Sequence, residues 1–85
     1  MFGEPAWDML LHLYTADGMA LTAGKLVKLV GHPKSTLLRW AGYLEEKRLI
    51  ARSNDPTDRR LVWFELAERG KQLLDAYFSS PDFPA

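Results

Sequence analysis

Eighty-five residues, 47% of them hydrophobic, suffice for one compact domain with a single core and leave no room for a second beside it. The longest apolar runs, such as Met9-Leu10-Leu11 and Leu61-Val62-Trp63-Phe64, fall far short of the ~20 residues of a membrane span, and no basic segment followed by an apolar stretch opens the chain, so a soluble, unexported, cytoplasmic protein without a membrane partner is expected. Net charge is zero and cysteine is absent, which excludes disulfides and thiolate metal sites and leaves burial to hold the fold.

Pro5 is placed to open a first helix. Trp7, Leu10, Leu11 and Tyr14 follow at the spacing of one buried face, and Asp17-Gly18 stops it. Met19-Ala20-Leu21 reads as a short extended connector. Thr22 can then cap a second helix with Leu26, Leu29 and Val30 on its apolar side and Gly31 at its end. His32-Pro33 breaks the chain, and Pro33 suits the first turn of a third helix, residues 33–47, with Leu37, Trp40, Ala41 and Leu44 inward. Two helices joined by a turn of three or four residues containing Gly form a helix-turn-helix.

From Leu49 the pattern becomes extended. Residues 49–53 and 60–66 read as two strands around Asn54-Asp55-Pro56-Thr57-Asp58, a segment dense in turn-forming residues. Val62, Phe64 and Leu66 should face the core, which turns Leu61, Trp63 and Glu65 outward. A last helix runs from about Ala67 to Phe78 with Gly70, Leu73, Leu74 and Tyr77 on one side, and Ser79 onward reads as a frayed tail. The expected organisation is one domain over residues 1–78 and a tail over 79–85. Its core should contain Leu10, Leu11, Leu26, Leu37, Leu44, Phe64 and Leu73.

Charge is distributed unevenly along this chain. Between Thr22 and Arg60 nine Lys or Arg face four acids, a balance of +5, while the segments before and after carry −3 and −2. Zero net charge alone argues against a nucleic-acid partner, but a basic middle with acidic ends describes a polarised molecule. Catalysis finds little support. His12 and His32 are the only histidines, too few for an ordinary catalytic zinc site. Gly31, Gly42 and Gly70 are isolated rather than gathered in a phosphate loop. No enzyme activity, metal or cofactor is expected, and nothing in the sequence marks an effector pocket.

Three linked segments make the pattern specific: Leu44-Glu45-Glu46-Lys47-Arg48-Leu49-Ile50-Ala51-Arg52, Asp55-Pro56-Thr57-Asp58-Arg59-Arg60, and Leu66-Ala67-Glu68-Arg69-Gly70. In their order and spacing, residues 19–75 resemble the DNA-binding core of the MarR family of bacterial winged-helix regulators. The resemblance implies an α+β, mainly α fold: a winged helix-turn-helix of three core helices, a two- to three-stranded β-wing and a C-terminal helix. It also implies a regulator of transcription that binds double-stranded DNA, with helix 33–47 in the major groove and a wing over 53–60 on the backbone or in the minor groove. Relatives are commonly homodimers joined by extra terminal helices, and the first and last helices here are too short to supply them.

The candidate DNA contacts are His32, Lys34, Ser35, Thr36, Leu38 and Arg39 on the helix, and Arg59 and Arg60 on the wing. An inward Leu37, Ala41 and Leu44 place Ser35, Arg39, Gly42 and Glu46 on the opposite side, with Leu38 and Tyr43 flanking. Arg39 is the candidate base reader, because a guanidinium matches the two major-groove acceptors of guanine, and Leu38 can meet a thymine methyl. Asp58 is expected to order the wing by pairing with an arginine. Departures from the family pattern are Ala67, where a capping Thr is usual, and Leu38, Gly42 and Tyr43 at positions often polar or basic. Phe2, Leu61, Trp63 and Phe78 form a candidate partner interface, for a second copy or another protein. The competing reading is a winged helix that docks proteins without binding DNA.

Overall fold

The computed structural model describes residues 4–79. The chain runs α1 (Glu4–Thr15), a single 3-10 turn (Asp17–Met19), β1 (Ala20–Thr22), α2 (Ala23–Val30), α3 (Lys34–Glu46), β2 (Ile50–Asn54), β3 (Val62–Leu66) and α4 (Glu68–Ser79). The three strands form one antiparallel sheet in the order β1-β3-β2. The connector before α2 is thus a strand, pairing Leu21 with Phe64 and Thr22 with Trp63.

Local signals account for most boundaries. Gly18 (φ 65°) carries the left-handed bend after α1, a conformation glycine adopts without steric cost. Thr22 caps α2, its hydroxyl accepting from the Lys25 amide at 3.2 Å, and Gly31 (φ 78°) closes the helix with its N–H on the Val27 carbonyl, the left-handed C-terminal cap that favours glycine. Only Gly31, His32 and Pro33 separate α2 from α3, which forces the sharp helix-turn-helix corner. Pro33 is itself the N-cap of α3, and no side chain caps that end. Arg48 adopts φ 62° where α3 turns into β2. Ala67 precedes α4 without a capping side chain; its carbonyl accepts from Lys71 at 2.9 Å, and Glu68 places an acid in the first turn, where the helix dipole favours it.

The core lies between α1, α2, α3 and the inner face of the sheet. Phe64, Met9, Leu10, Leu13, Leu26, Leu37, Leu44 and Leu74 are its largest fully buried side chains. Leu11 packs against it half-buried, and Val62 flanks Phe64 and Leu66 on the expected inner face. Three expectations are corrected. The inward face of α1 is Ala6, Met9, Leu10 and Leu13, with Trp7, Leu11 and Tyr14 along its flank, where Trp7 and Tyr14 meet the rings of Tyr77 and Phe78 on α4. In α4 it is Leu74 and Gly70 that are buried, whereas Leu73 stands 38% exposed, one residue, or 100°, off the inward phase. Leu29 on α2 is likewise exposed, at 45%.

Gly70 has a specific packing reason. A side-chain carbon there would overlap the Leu49 carbonyl oxygen and lie 2.8 Å from Leu66 Cδ1, so only glycine lets α4 approach the α3–β2 corner this closely. The far half of α4 is held to α1 by aromatic contacts, Trp7 against Tyr77 (5.0 Å, edge-on) and Tyr14 against Phe78 (5.8 Å, stacked). The Tyr14 hydroxyl donates to Asp75 at 2.6 Å. That carboxylate raises the Tyr14 pKa above its usual value, with desolvation adding to the shift.

Candidate nucleic-acid interface

Burial of Leu37, Ala41 and Leu44 fixes the rotation of α3 and thereby its outer stripe. Lys34, Ser35 and Arg39 are exposed; His32, Thr36 and Leu38 are half-buried. Leu38 packs partly against the core, which limits what it can offer a ligand to one edge of its side chain. Lys34 and Arg39 make no ion pair or hydrogen bond through their side chains among the described residues. Near the other end, Tyr43 meets Trp40 edge-on at 5.5 Å and the Lys47 ammonium lies 5.5 Å from the Tyr43 ring centroid. The departures Leu38 and Tyr43 therefore double as packing residues.

The wing is ordered chiefly by Asp55, which sequence reasoning treated only as part of a turn. Its Oδ1 accepts from the Thr57 amide (2.9 Å), the Thr57 hydroxyl (2.8 Å) and the Asp58 amide (3.0 Å). Its Oδ2 accepts from the Trp63 indole N–H at 2.9 Å. These donors favour the ionised carboxylate, and its pKa is pushed down to about 2, first by the Trp63 indole and then by the Thr57 amide and hydroxyl. Trp63 does lie on the outward face of β3, as strand alternation requires, but it is half-buried and its polar atom is engaged. The signal available in the sequence was the separation of eight residues, which a hairpin folds back into contact.

Asp58 engages Arg60, two residues on. Its Oδ1 accepts from the Arg60 amide and Nε, both at 3.0 Å, and its Oδ2 from Nη2 at 3.1 Å. The Arg60 side chain holds the Asp58 carboxyl below its ordinary range, and the carboxylate in turn raises the guanidinium. Arg60 nonetheless projects outward, its side chain 90% exposed. Arg59 is also exposed; its carbonyl accepts from Asn54 Nδ2 at 3.4 Å while its guanidinium has no partner among the described residues.

Between α3 and the wing lies an open groove of about 340 Å³ whose walls include Lys34, Leu38, Arg52, Arg60 and Gly24. Two of the predicted cations, Lys34 and Arg60, thus meet in one place. Arg52 joins them from β2, a residue the sequence reading had not selected. It is bound to Glu45 of α3 through Nη2 at 2.6 Å, and its guanidinium carbon stands 5.1 Å from the centre of the Phe64 ring. Of the candidate partner-interface residues, Leu61 and Phe78 are each 40% exposed, and Phe2 lies outside the described residues. Among the described residues no three His, Cys, Asp or Glu are grouped to hold a metal, and no helix is long and apolar enough to cross a membrane.

Known proteins share this architecture. A segment of 42 residues is 52% identical to the HTH-type transcriptional regulator YxaD of Bacillus subtilis, covering 49% of this chain and 29% of that protein. The MepR–DNA complex of S. aureus superposes with a TM-score of 0.83 at 28% identity, over 93% of this chain and 63% of that one. Sco3205 of Streptomyces coelicolor, a MarR family transcriptional regulator in complex with DNA, superposes equally well (0.83) over 87% of this chain and 46% of its own at 22% identity, a likeness of fold. The chain therefore spans less than two thirds of the length of each of these relatives. The MarR family model matches residues 3–61, most of the chain, including the helix-turn-helix and the wing up to Leu61, and with the fold just described it establishes that this chain belongs to the MarR family.

Proposed function

We propose that this chain is the DNA-binding unit of a transcriptional regulator, with α3 entering the major groove and the β2–β3 wing resting on the adjacent backbone or minor groove. One observation carries the reading. The exposed stripe of α3 holds Lys34 and Arg39 unpaired among the described residues, beside a wing whose shape is fixed from within by Asp55 and Asp58 and which presents Arg59 and Arg60 outward. Lys34, Arg52 and Arg60 line one groove, and a neutral molecule with cations concentrated in one place can be drawn to phosphate as a basic protein is. DNA complexes of MepR and Sco3205 are in keeping with this use of the fold.

Phosphate contacts from Lys34, Ser35, Thr36, Arg59 and Arg60, with His32 at the helix entrance, would set register, and Arg39, with the exposed edge of Leu38, would read bases. Exposed Leu61, Leu73 and Phe78 favour a homodimer, which would place two recognition helices on a two-fold site in the bacterial cytoplasm. The function is recognition without catalysis. Salt tests it: affinity for duplex DNA should fall linearly on logarithmic axes, with a slope of about −3 or steeper per protomer for the three cations assigned to phosphates. An affinity insensitive to salt would point to a protein partner instead.

A further inference from the structure

We propose that Arg52 is a DNA-backbone contact and that Glu45 is its built-in counter-charge, occupying the guanidinium in the free protein and surrendering it to a phosphate. The inference rests on the DNA-binding reading above and adds to it two residues outside the helix stripe and the wing tip.

Placement comes first. Arg52 lies opposite Phe64 in the β2–β3 register, and its guanidinium sits beside that buried ring, which directs the side chain into the groove shared with Lys34 and Arg60. Three cations, from α3, β2 and the β2–β3 loop, thus converge on a space that one phosphodiester strand can enter between helix and wing. A guanidinium offers five N–H donors. Among the described residues only Nη2 of Arg52 is engaged, by one Glu45 oxygen, so most of its donors remain available to a second anion.

The pair is also of a kind that can be exchanged. Both side chains are about a third exposed, Arg52 at 37% and Glu45 at 32%, and ion pairs so open to water are worth little. A polyanion with condensed counterions supplies a stronger competing field than one carboxylate. When a phosphate takes Arg52, Glu45 must recover a cation from solution, which offsets the counterion released from the DNA. The pair would hold down affinity for all duplexes alike.

Substituting Glu45 by Gln should therefore tighten binding to any duplex, about three- to fivefold, and steepen the salt slope by about one unit. Arg52→Gln should weaken binding. In the Arg52→Gln background the Glu45→Gln gain should shrink to the general effect of removing one negative charge, measured with Glu65→Gln, an exposed acid on β3 outside the helix stripe that makes no ion pair among the described residues. Fluorescence-anisotropy titrations of a 20-base-pair duplex of random sequence at several salt concentrations, with melting curves to verify folding, provide the readout. Tighter binding by Glu45→Gln that disappears without Arg52 supports the proposal. Unchanged or weaker binding, or a gain equal to that of Glu65→Gln, overturns it and makes the pair a brace across the α3–β2 corner. If the wild-type protein binds neither this duplex nor any other at low salt, the DNA-binding reading itself fails, and the proposal with it.

Discussion

Replacing each of two helical glycines by alanine should move stability in opposite directions. Gly70 and Gly42 both sit within helices and look equivalent in sequence. At Gly42 an added Cβ meets no heavy atom within 4 Å, so Gly42→Ala should gain the intrinsic helix preference of alanine, about 1 kcal/mol. At Gly70 the new carbon would overlap the Leu49 carbonyl oxygen, 3.2 Å from its carbon and 2.8 Å from Leu66 Cδ1. The leucine methyl can move aside, but the carbonyl is backbone and already accepts the Ala67 amide at 2.9 Å, so α4 must shift bodily. Overpacking of this kind costs about 1–3 kcal/mol, and a clash with backbone rather than with a movable side chain belongs at the upper end, so the helix preference returns only part. For a domain of this size 1 kcal/mol displaces Tm by roughly 4–8 °C. Circular-dichroism melts should show Gly42→Ala raised by roughly 4–8 °C and Gly70→Ala lowered by a similar amount or more. Adding Leu66→Ala to Gly70→Ala should not restore stability. Two shifts of the same sign, or a Gly70→Ala protein as stable as wild type, would refute the close approach of α4 to Leu49.

Other expectations follow from the same contacts. Leu44→Ala removes a fully buried side chain and should cost about 2–5 kcal/mol in denaturant titration, whereas Leu73→Ala, at an exposed position, should change stability by under about 0.5 kcal/mol. The Asp55 carboxyl has a lowered pKa in the fold, so its stabilising contribution is complete above its ordinary pKa of 3.8 and is lost as pH falls through about 2. The Trp63 indole N–H resonance should accordingly titrate near pH 2, and a midpoint near 4 would contradict the bond. Arg39→Ala should relax preference at one base position and cost about 1–3 kcal/mol on the best site, while Arg59→Ala should weaken all sequences and lessen the salt slope by about one unit. Since Arg60 also orders the wing through Asp58, Arg60→Ala should broaden the amide resonances of residues 55–61 even without DNA.

Local chemistry made much of this fold legible in the sequence. Thr22, Gly31 and Pro33 mark helix ends through their own conformational and hydrogen-bonding preferences, and the alternation of Val62, Phe64 and Leu66 identifies the inner face of β3 without reference to anything distant. Errors arose where the answer lay in another element. Leu73 and Leu74 are equally apolar, and the approach of α4 to Leu49 through Gly70 decides which is buried. The same holds at the candidate interface. The outer stripe of α3 follows from periodicity, and Asp58 pairs with an arginine two residues away, so both could be read along the chain. The Asp55–Trp63 bond spans a hairpin and the Arg52–Glu45 pair turns a corner, and neither carries a periodic signal.

Selection of bound sequences from a pool of random duplex DNA tests the central claim most directly. The account predicts enrichment of a short motif, arranged as an inverted repeat if two copies bind together, with retention lost as salt rises and with Arg39→Ala relaxing one position of the motif. A pool that stays random, from a protein shown to be folded and held at low salt, would contradict it.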